Sequence, residues 1–185
     1  MKVAKYKLNR NDAVLVIIDL QERLMNAMKD REKVYKNTNL LLSTAKEFNI
    51  PVILSEQYPR GLGATVALIK ENLPEDYIYV EKQSFSLCGA GLSEILADLG
   101  RKTVIVCGSE THVCVFQTVR DLVETGYNVH LVRDAVCSRS DENYKNSLSL
   151  MSKLGAVVTN SETVVFDLLV TAGTKEFKAI SPLIK

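Results

Sequence analysis

Thr103-Val104-Ile105-Val106-Cys107-Gly108-Ser109-Glu110-Thr111-His112-Val113-Cys114-Val115 is the stretch on which the reading of this 185-residue chain turns. Its first half is an almost unbroken apolar, β-branched run, the pattern of a strand covered on both faces. Its second half opens an amphipathic helical pattern that runs from Cys114 to about Glu124. A strand that passes directly into a helix is half of a parallel β-α-β unit. Cys114 then falls at the C-terminal edge of a sheet, in the first turn of a helix. The amides there and the positive end of the helix dipole favour a thiolate and can hold a developing oxyanion. The same place also suits an inert buried cysteine, and position alone does not choose between the two.

The alternation continues in both directions. Strand-like runs are expected at 13–18, 52–54, 77–80, 103–107, 128–132 and 156–159. Helical patterns are expected at about 31–48, 64–71, 92–99, 113–124, 142–154 and 161–170. Asn49-Ile50-Pro51, Gly100, Gly126 and Gly155 stand where helix ends should be. Six strands alternating with helices predict a three-layer α/β/α sandwich around a six-stranded, doubly wound parallel sheet. The chain reads as one domain over 1–185, with a core at about 12–170. The tail, 173–185, is weakly patterned and suits a short strand or an arm packed on a neighbouring subunit.

Composition excludes several classes. There are 23 Lys and Arg against 22 Asp and Glu, mixed along the chain, for a net charge of +1. That balance gives no basic stripe for nucleic acid and no polybasic patch for a membrane surface. No run approaches the roughly 18 apolar residues that span a bilayer. Residues 1–12 carry Lys2, Lys5, Lys7 and Arg10 without the apolar segment of a secretory signal, so a cytoplasmic location is expected. Cys88, Cys107, Cys114 and Cys137 have no CxxC spacing, and His112 and His130 are the two histidines. Neither a zinc site nor a disulfide frame is suggested, and no metal or cofactor is expected.

In a sheet of this kind chemistry gathers where the strands end. The ends supply Asp19, then Glu56-Gln57-Tyr58, then Lys82, then the 109–114 turn, then Asp134. Three of these are an acid, a cation and a thiol. A carboxylate beside a thiol can take its proton and later give it to a leaving group. Asp19 would equally serve as a helix cap. A partly buried Lys82 would favour both anions, whereas a solvated lysine is the commoner state. Glu81 reads as exposed, Glu56 as a hydrogen-bond acceptor for loop amides or Arg60, and His130 as structural within its strand.

Asp19-Leu20-Gln21 after the first strand, Lys82-Gln83-Ser84-Phe85-Ser86 after the third, and 108–115 after the fourth together resemble the active site of the isochorismatase-like cysteine hydrolases. The resemblance runs from about 12 to 169. The loop Glu56-Gln57-Tyr58-Pro59-Arg60-Gly61-Leu62-Gly63 is similar to the subgroup called isochorismatase domain-containing proteins. The resemblance implies the strand order 3-2-1-4-5-6, which sets strands one and four side by side at the switch point. It implies Asp19 as base, Lys82 as electrostatic partner and Cys114 as the nucleophile of a covalent thioester. It also implies a cis Ser109–Glu110 peptide, with the Glu110 and Cys114 amides as oxyanion hole, and Asp134 as a structural residue. Nicotinamidases of the superfamily hold a metal with histidines after strand two, where this chain has none.

Gln21, Leu24, Tyr58, Phe85 and His112 are candidates for the lining of a substrate pocket, since ligand pockets are often aromatic-lined. The expected activity is hydrolysis of a small amide or related acyl compound. The alternative is a binding or scaffold protein that retains the three residues by descent. A small-molecule substrate and a homo-oligomer, dimer or higher, are the expected partners.

Overall fold

The computed structural model describes residues 3–184. Strands β1 (Ala13–Ile18), β2 (Val52–Gln57), β3 (Ile78–Lys82), β4 (Thr103–Ser109), β5 (Asn128–Cys137) and β6 (Val157–Thr159) form one sheet. Its order is β3-β2-β1-β4-β5-β6 and each pairing is parallel. The main helices are α1 (Arg31–Glu47), α2 (Leu92–Asp98), α3 (Phe116–Glu124), α4 (Asp141–Leu154), α5 (Ser161–Leu169) and α6 (Lys175–Ile180). The expected sandwich and strand order are both present.

The period of two in β1 explains the layers. Ala13, Leu15 and Ile17 pack with Val34, Leu41 and Leu42 of α1 and with Val164 and Leu168 of α5. Val14, Val16 and Ile18 pack with Leu92 and Leu96 of α2, Val119 and Leu122 of α3, and Met151 of α4. Burial of such a side chain stabilises by about 1.5–3 kcal/mol relative to exposure, so β1, buried along its whole length, anchors both layers. The starts of α4, α5 and α6 are fixed by side chains at their caps. Asn160 accepts from the Thr163 amide at 2.8 Å and Thr174 from the Phe177 amide at 3.1 Å.

Several boundaries differ from the expectations. β2, β4 and β5 continue past their apolar runs, to Gln57, Ser109 and Cys137. The helix expected at 64–71 shrinks to a single turn, Ala67–Lys70. Thr65 is drawn out of it, bridging to Gln21 and giving both its amide and its hydroxyl to Glu56. The helix expected from 113 begins as α at Phe116, after a π-turn over Thr111–Val115 closed by Val115 N–H to Glu110 O at 3.3 Å. The tail is helical and not a strand. α6 and the 3₁₀ turn Ser181–Ile184 fold onto their own chain, where Ile180 is buried with Leu40, Val165 and Leu169. Lys185, the last residue of that expectation, lies outside the described residues.

Candidate active site

The site grows from the junction of β1 and β4. Gly108 has φ +124, and a Cβ built on it would lie 2.0 Å from the Ile18 carbonyl oxygen. Glycine alone lets the end of β4 close this tightly on β1. One residue on, the Ser109 hydroxyl donates to Asp19 O at 2.7 Å. Asp19 itself has φ 49, a left-handed conformation that Asp tolerates better than most residues. The chain therefore turns at Asp19, and the carboxylate is held under the ends of the strands. The Ser109–Glu110 peptide that follows is cis.

Asp19 and Lys82 are both buried, and Lys82 Nζ donates to Asp19 Oδ2 at 2.6 Å. Lys82 also donates to Gln57 Oε1 at 2.7 Å and to Ser84 O at 3.4 Å. Its three ammonium hydrogens thus meet three acceptors inside the protein. The other carboxylate oxygen of Asp19 accepts from the Ser55 hydroxyl at 2.7 Å. A buried ion pair persists only where such extra bonds replace lost water. Lys82 is not a solvated lysine, and Glu81 beside it is exposed.

Cys114 is 5 % exposed. Burial pushes its thiol up to about 12, Asp19 adds to the rise, and Lys82 opposes it. The structure thus brings Asp19, Lys82 and Cys114 together. It corrects one expectation, since the surroundings favour the thiol and not the thiolate. The reason is desolvation, which together with Asp19 outweighs the ammonium. The hydroxyl of Thr118 donates to Cys114 O at 2.7 Å and accepts from the Leu87 amide at 3.0 Å. That fixes the turn against the 3₁₀ segment Leu87–Ala90.

The pocket candidates divide. The Gln21 side chain is fully buried, donates to Gln57 O and Gly63 O at 3.0 and 2.7 Å, and accepts from the Gln57 amide at 2.8 Å. It braces the loop after β2 and faces no opening. Leu24 packs half-buried against the α1 side of the core. Tyr58 and Phe85 are 49 % and 54 % exposed at the ends of β2 and β3. Tyr58 lies over Gly61, where an added Cβ would come within 2.4 Å of its ring. His112 is half-buried, with Nδ1 3.0 Å from the Ser138 hydroxyl. A cavity of about 730 Å³ lies beside the N-terminal end of β1, lined by Lys7, Arg10, Phe48, Leu169, Val170 and Glu176 among others. Asp19, Lys82 and Cys114 take no part in lining it.

Several other residues settle into supporting roles. Asp134 caps α5, accepting from the Ser161 amide at 2.8 Å and hydroxyl at 2.7 Å. His130 is buried in β5, and burial lowers its pKa. Glu56 accepts from Thr65 and from Tyr79 Oη at 3.0 Å, and Arg60 is not among its partners. Among the described residues no three His, Cys, Asp or Glu side chains stand close enough to share a metal ion. Ser55 and Arg139 are residues beside the site that the sequence did not single out, while Gln57 and Ser109, named at the strand ends, find their partners in Lys82 and Asp19. Ser55 carries a legible signal: a polar residue continuing a strand whose earlier part is buried on both faces.

A doubly wound sheet with a buried ion pair and a thiol at its switch point defines an α/β protein of the isochorismatase-like hydrolase fold. The Isochorismatase domain pattern matches residues 13–163, and the chain belongs to that family. It is 39% identical over 179 residues to the secreted isochorismatase effector Isc1 of Phytophthora sojae (strain P6497), covering 95% of this chain and 85% of that protein. It is 35% identical over 179 residues to isochorismatase domain-containing protein 2 of Xenopus laevis, covering 96% and 86%. Among solved structures, a MAR1 ribonuclease from Caenorhabditis elegans superposes with a TM-score of 0.91 at 36% identity, covering 96% of this chain and 92% of that one. The YcaC protein of Escherichia coli, described as an octameric hydrolase of unknown specificity, superposes with a TM-score of 0.90 at 25% identity, covering 96% and 89%. Among the described residues no helix is long and apolar enough to cross a membrane.

Proposed function

We propose that this protein hydrolyses a small amide or related acyl compound through a thioester on Cys114, with Asp19 as base and Lys82 as its electrostatic partner. The observation that carries the reading is a buried cysteine whose two charged neighbours are a carboxylate and an ammonium already paired at 2.6 Å. Asp19 takes the thiol proton as Sγ attacks the carbonyl carbon. The new alkoxide oxygen is met by the amides of Glu110 and Cys114. The C–N bond breaks as Asp19 passes its proton to the leaving nitrogen, which leaves a thioester. Water then adds to the thioester, giving a proton to Asp19. The carboxylic acid departs, and the proton returns to sulfur. Tyr58, Phe85 and His112 stand at the rim as the substrate's first contacts. Assembly as a homo-oligomer is proposed on the YcaC relative. A cytoplasmic location is proposed on four free cysteines, which suit a reducing compartment.

A screen of small amides tests the reading, with wild type and Cys114→Ala run side by side and intact mass measured during turnover. Wild type should turn over a member of the set and accumulate an acyl adduct, and the variant should lose nearly all activity. Turnover retained by Cys114→Ala would end the covalent mechanism. Failure of Cys114 to react with iodoacetamide faster than the half-buried Cys88 would favour a scaffold or binding role instead. The ribonuclease description of the C. elegans relative favours one second reading, action on RNA. Cleavage of a defined oligoribonucleotide that is abolished by Cys114→Ala would select it. A net charge of +1 gives little electrostatic basis for that outcome.

A further inference from the structure

Arg139 stands two residues beyond the end of β5. Its amide donates to Glu110 Oε2 at 3.0 Å, and its Nε donates to Oε1 and Oε2 at 3.1 and 3.0 Å. Glu110 is buried to 5 % exposure, whereas the Arg139 side chain is 63 % exposed. The neighbours of Arg139 act on the same turn. Cys137 pairs in register with Ser109, and the Ser138 hydroxyl meets His112 Nδ1. Three consecutive residues therefore hold three positions of the turn that carries Cys114. Glu110 is gripped at its main chain too, because its carbonyl accepts from the amides of Val113 at 3.0 Å and Val115 at 3.3 Å. A planar guanidinium and an amide on one carboxylate fix orientation as well as charge.

We propose that Arg139 is a positioning residue: by clamping Glu110 it aims the Glu110 amide, with that of Cys114, at the carbonyl oxygen of the substrate. This rests on the acyl-transfer reading above. Arg139 acts through Glu110 and is not itself assigned a contact with the substrate. Removing it should weaken reactions that build charge on a carbonyl oxygen and spare reactions of the same sulfur that do not.

Two reagents separate these effects on the whole protein. With acrylamide, Sγ bonds to the β-carbon, the C=C electron pair moves to give an enolate on oxygen, and the thiol proton ends on the α-carbon. With methyl methanethiosulfonate, Sγ bonds to the methylthio sulfur, methanesulfinate leaves with the electron pair, and the thiol proton goes to solvent. The first reaction needs the oxyanion amides and the second does not. Labelling of Cys114 is followed by peptide mass spectrometry. Arg139→Ala should slow acrylamide addition by about tenfold or more and leave methyl methanethiosulfonate labelling within about twofold. Arg139→Lys should recover part of the loss, because it restores the charge without the fork. An acrylamide-to-thiosulfonate rate ratio equal to wild type in both variants overturns the proposal, whether or not the separate rates change. If wild-type Cys114 reacts with acrylamide no faster than Cys88, the acyl-transfer reading fails first and takes this proposal with it.

Discussion

The body of β1 and the three residues after it are equally buried and chemically opposite. Ala13–Ile18 is apolar and both of its faces are covered by helices. Asp19, Leu20 and Gln21 are also fully buried, yet two of the three are polar. Burial alone therefore does not separate core from site. What separates them is whether each group depends on specific partners. Ile17 needs only volume around it. Asp19 needs Lys82 and Ser55, and Gln21 needs three backbone groups, two of Gln57 at the end of β2 and one of Gly63 in the loop after it. Losing a partner there leaves a buried polar atom unsatisfied, whereas losing a methyl in the body leaves a small cavity.

The largest effect is expected where body and end meet. Gly108→Ala sets a Cβ 2.0 Å from the Ile18 carbonyl oxygen at a φ of +124. Because the obstacle is backbone, β1 and β4 must part, and expression and chemical denaturation should show a protein that does not reach its native state. Native-like stability in this variant would mean that the two strands do not close at this point.

Next comes Lys82→Met. It strands the Asp19 carboxylate in a buried site, and removal of one member of such a pair costs about 3–5 kcal/mol. The double change Asp19→Asn with Lys82→Met should recover much of that stability in urea titrations while leaving the protein inactive. If the single and double variants are equally unstable, the pair is ordinary core and the distinction between the two regions collapses.

Alkaline pH should affect both regions in the same direction. Cys107 in the strand body and Cys114 at its end are each pushed up to about 12, chiefly by burial. An unfolded cysteine titrates near roughly 8.5. Between these values the folded protein keeps protons that the unfolded chain has released. Stability is therefore full below pH about 8.5 and is lost as pH rises toward 12. The thermal midpoint should fall steadily over that window, and Cys107→Ala should flatten the slope. A midpoint constant to pH 11 would contradict the burial of these thiols. The smallest effect belongs to an exposed ion pair, Arg31 with Glu32 at 3.4 Å. Arg31→Ala should change stability by less than about 0.5 kcal/mol, and a larger loss would show that exposed pairs matter here as buried ones do.

The apolar bodies of the strands were legible because residues covered on both faces write a continuous hydrophobic run, and their number and class followed. Asp19, Lys82 and Cys114 were legible as chemistry-bearing types at strand ends. Ser55 was not, because a strand read by hydrophobicity stops at Leu54, and Gln57 was named at its strand end without a role, because the value of each lies in a distant partner, Asp19 for one and Lys82 for the other. Arg139 was invisible for a related reason. Its partner Glu110 is 29 residues away, and no local pattern joins an exposed arginine to a buried acid. The thiol's preference for its proton could not be read either. A helix start argues for a thiolate, and only the packed structure shows how much water has been removed. The helix in the tail was missed because Thr174 as cap with Phe177, Ala179 and Ile180 forms too short a pattern to outweigh the lack of periodicity around them.

All three donors of Lys82 end on groups of the protein itself, on Asp19, Gln57 and Ser84. An incoming molecule therefore meets a fixed field and not a free hand. The unit is assembled by the sheet, while Tyr58 and Phe85 stand on the loops outside it. Evolution or an engineer could rewrite those loops to admit new molecules without retuning the chemistry beneath, so one inherited core could serve a lineage of differing appetites.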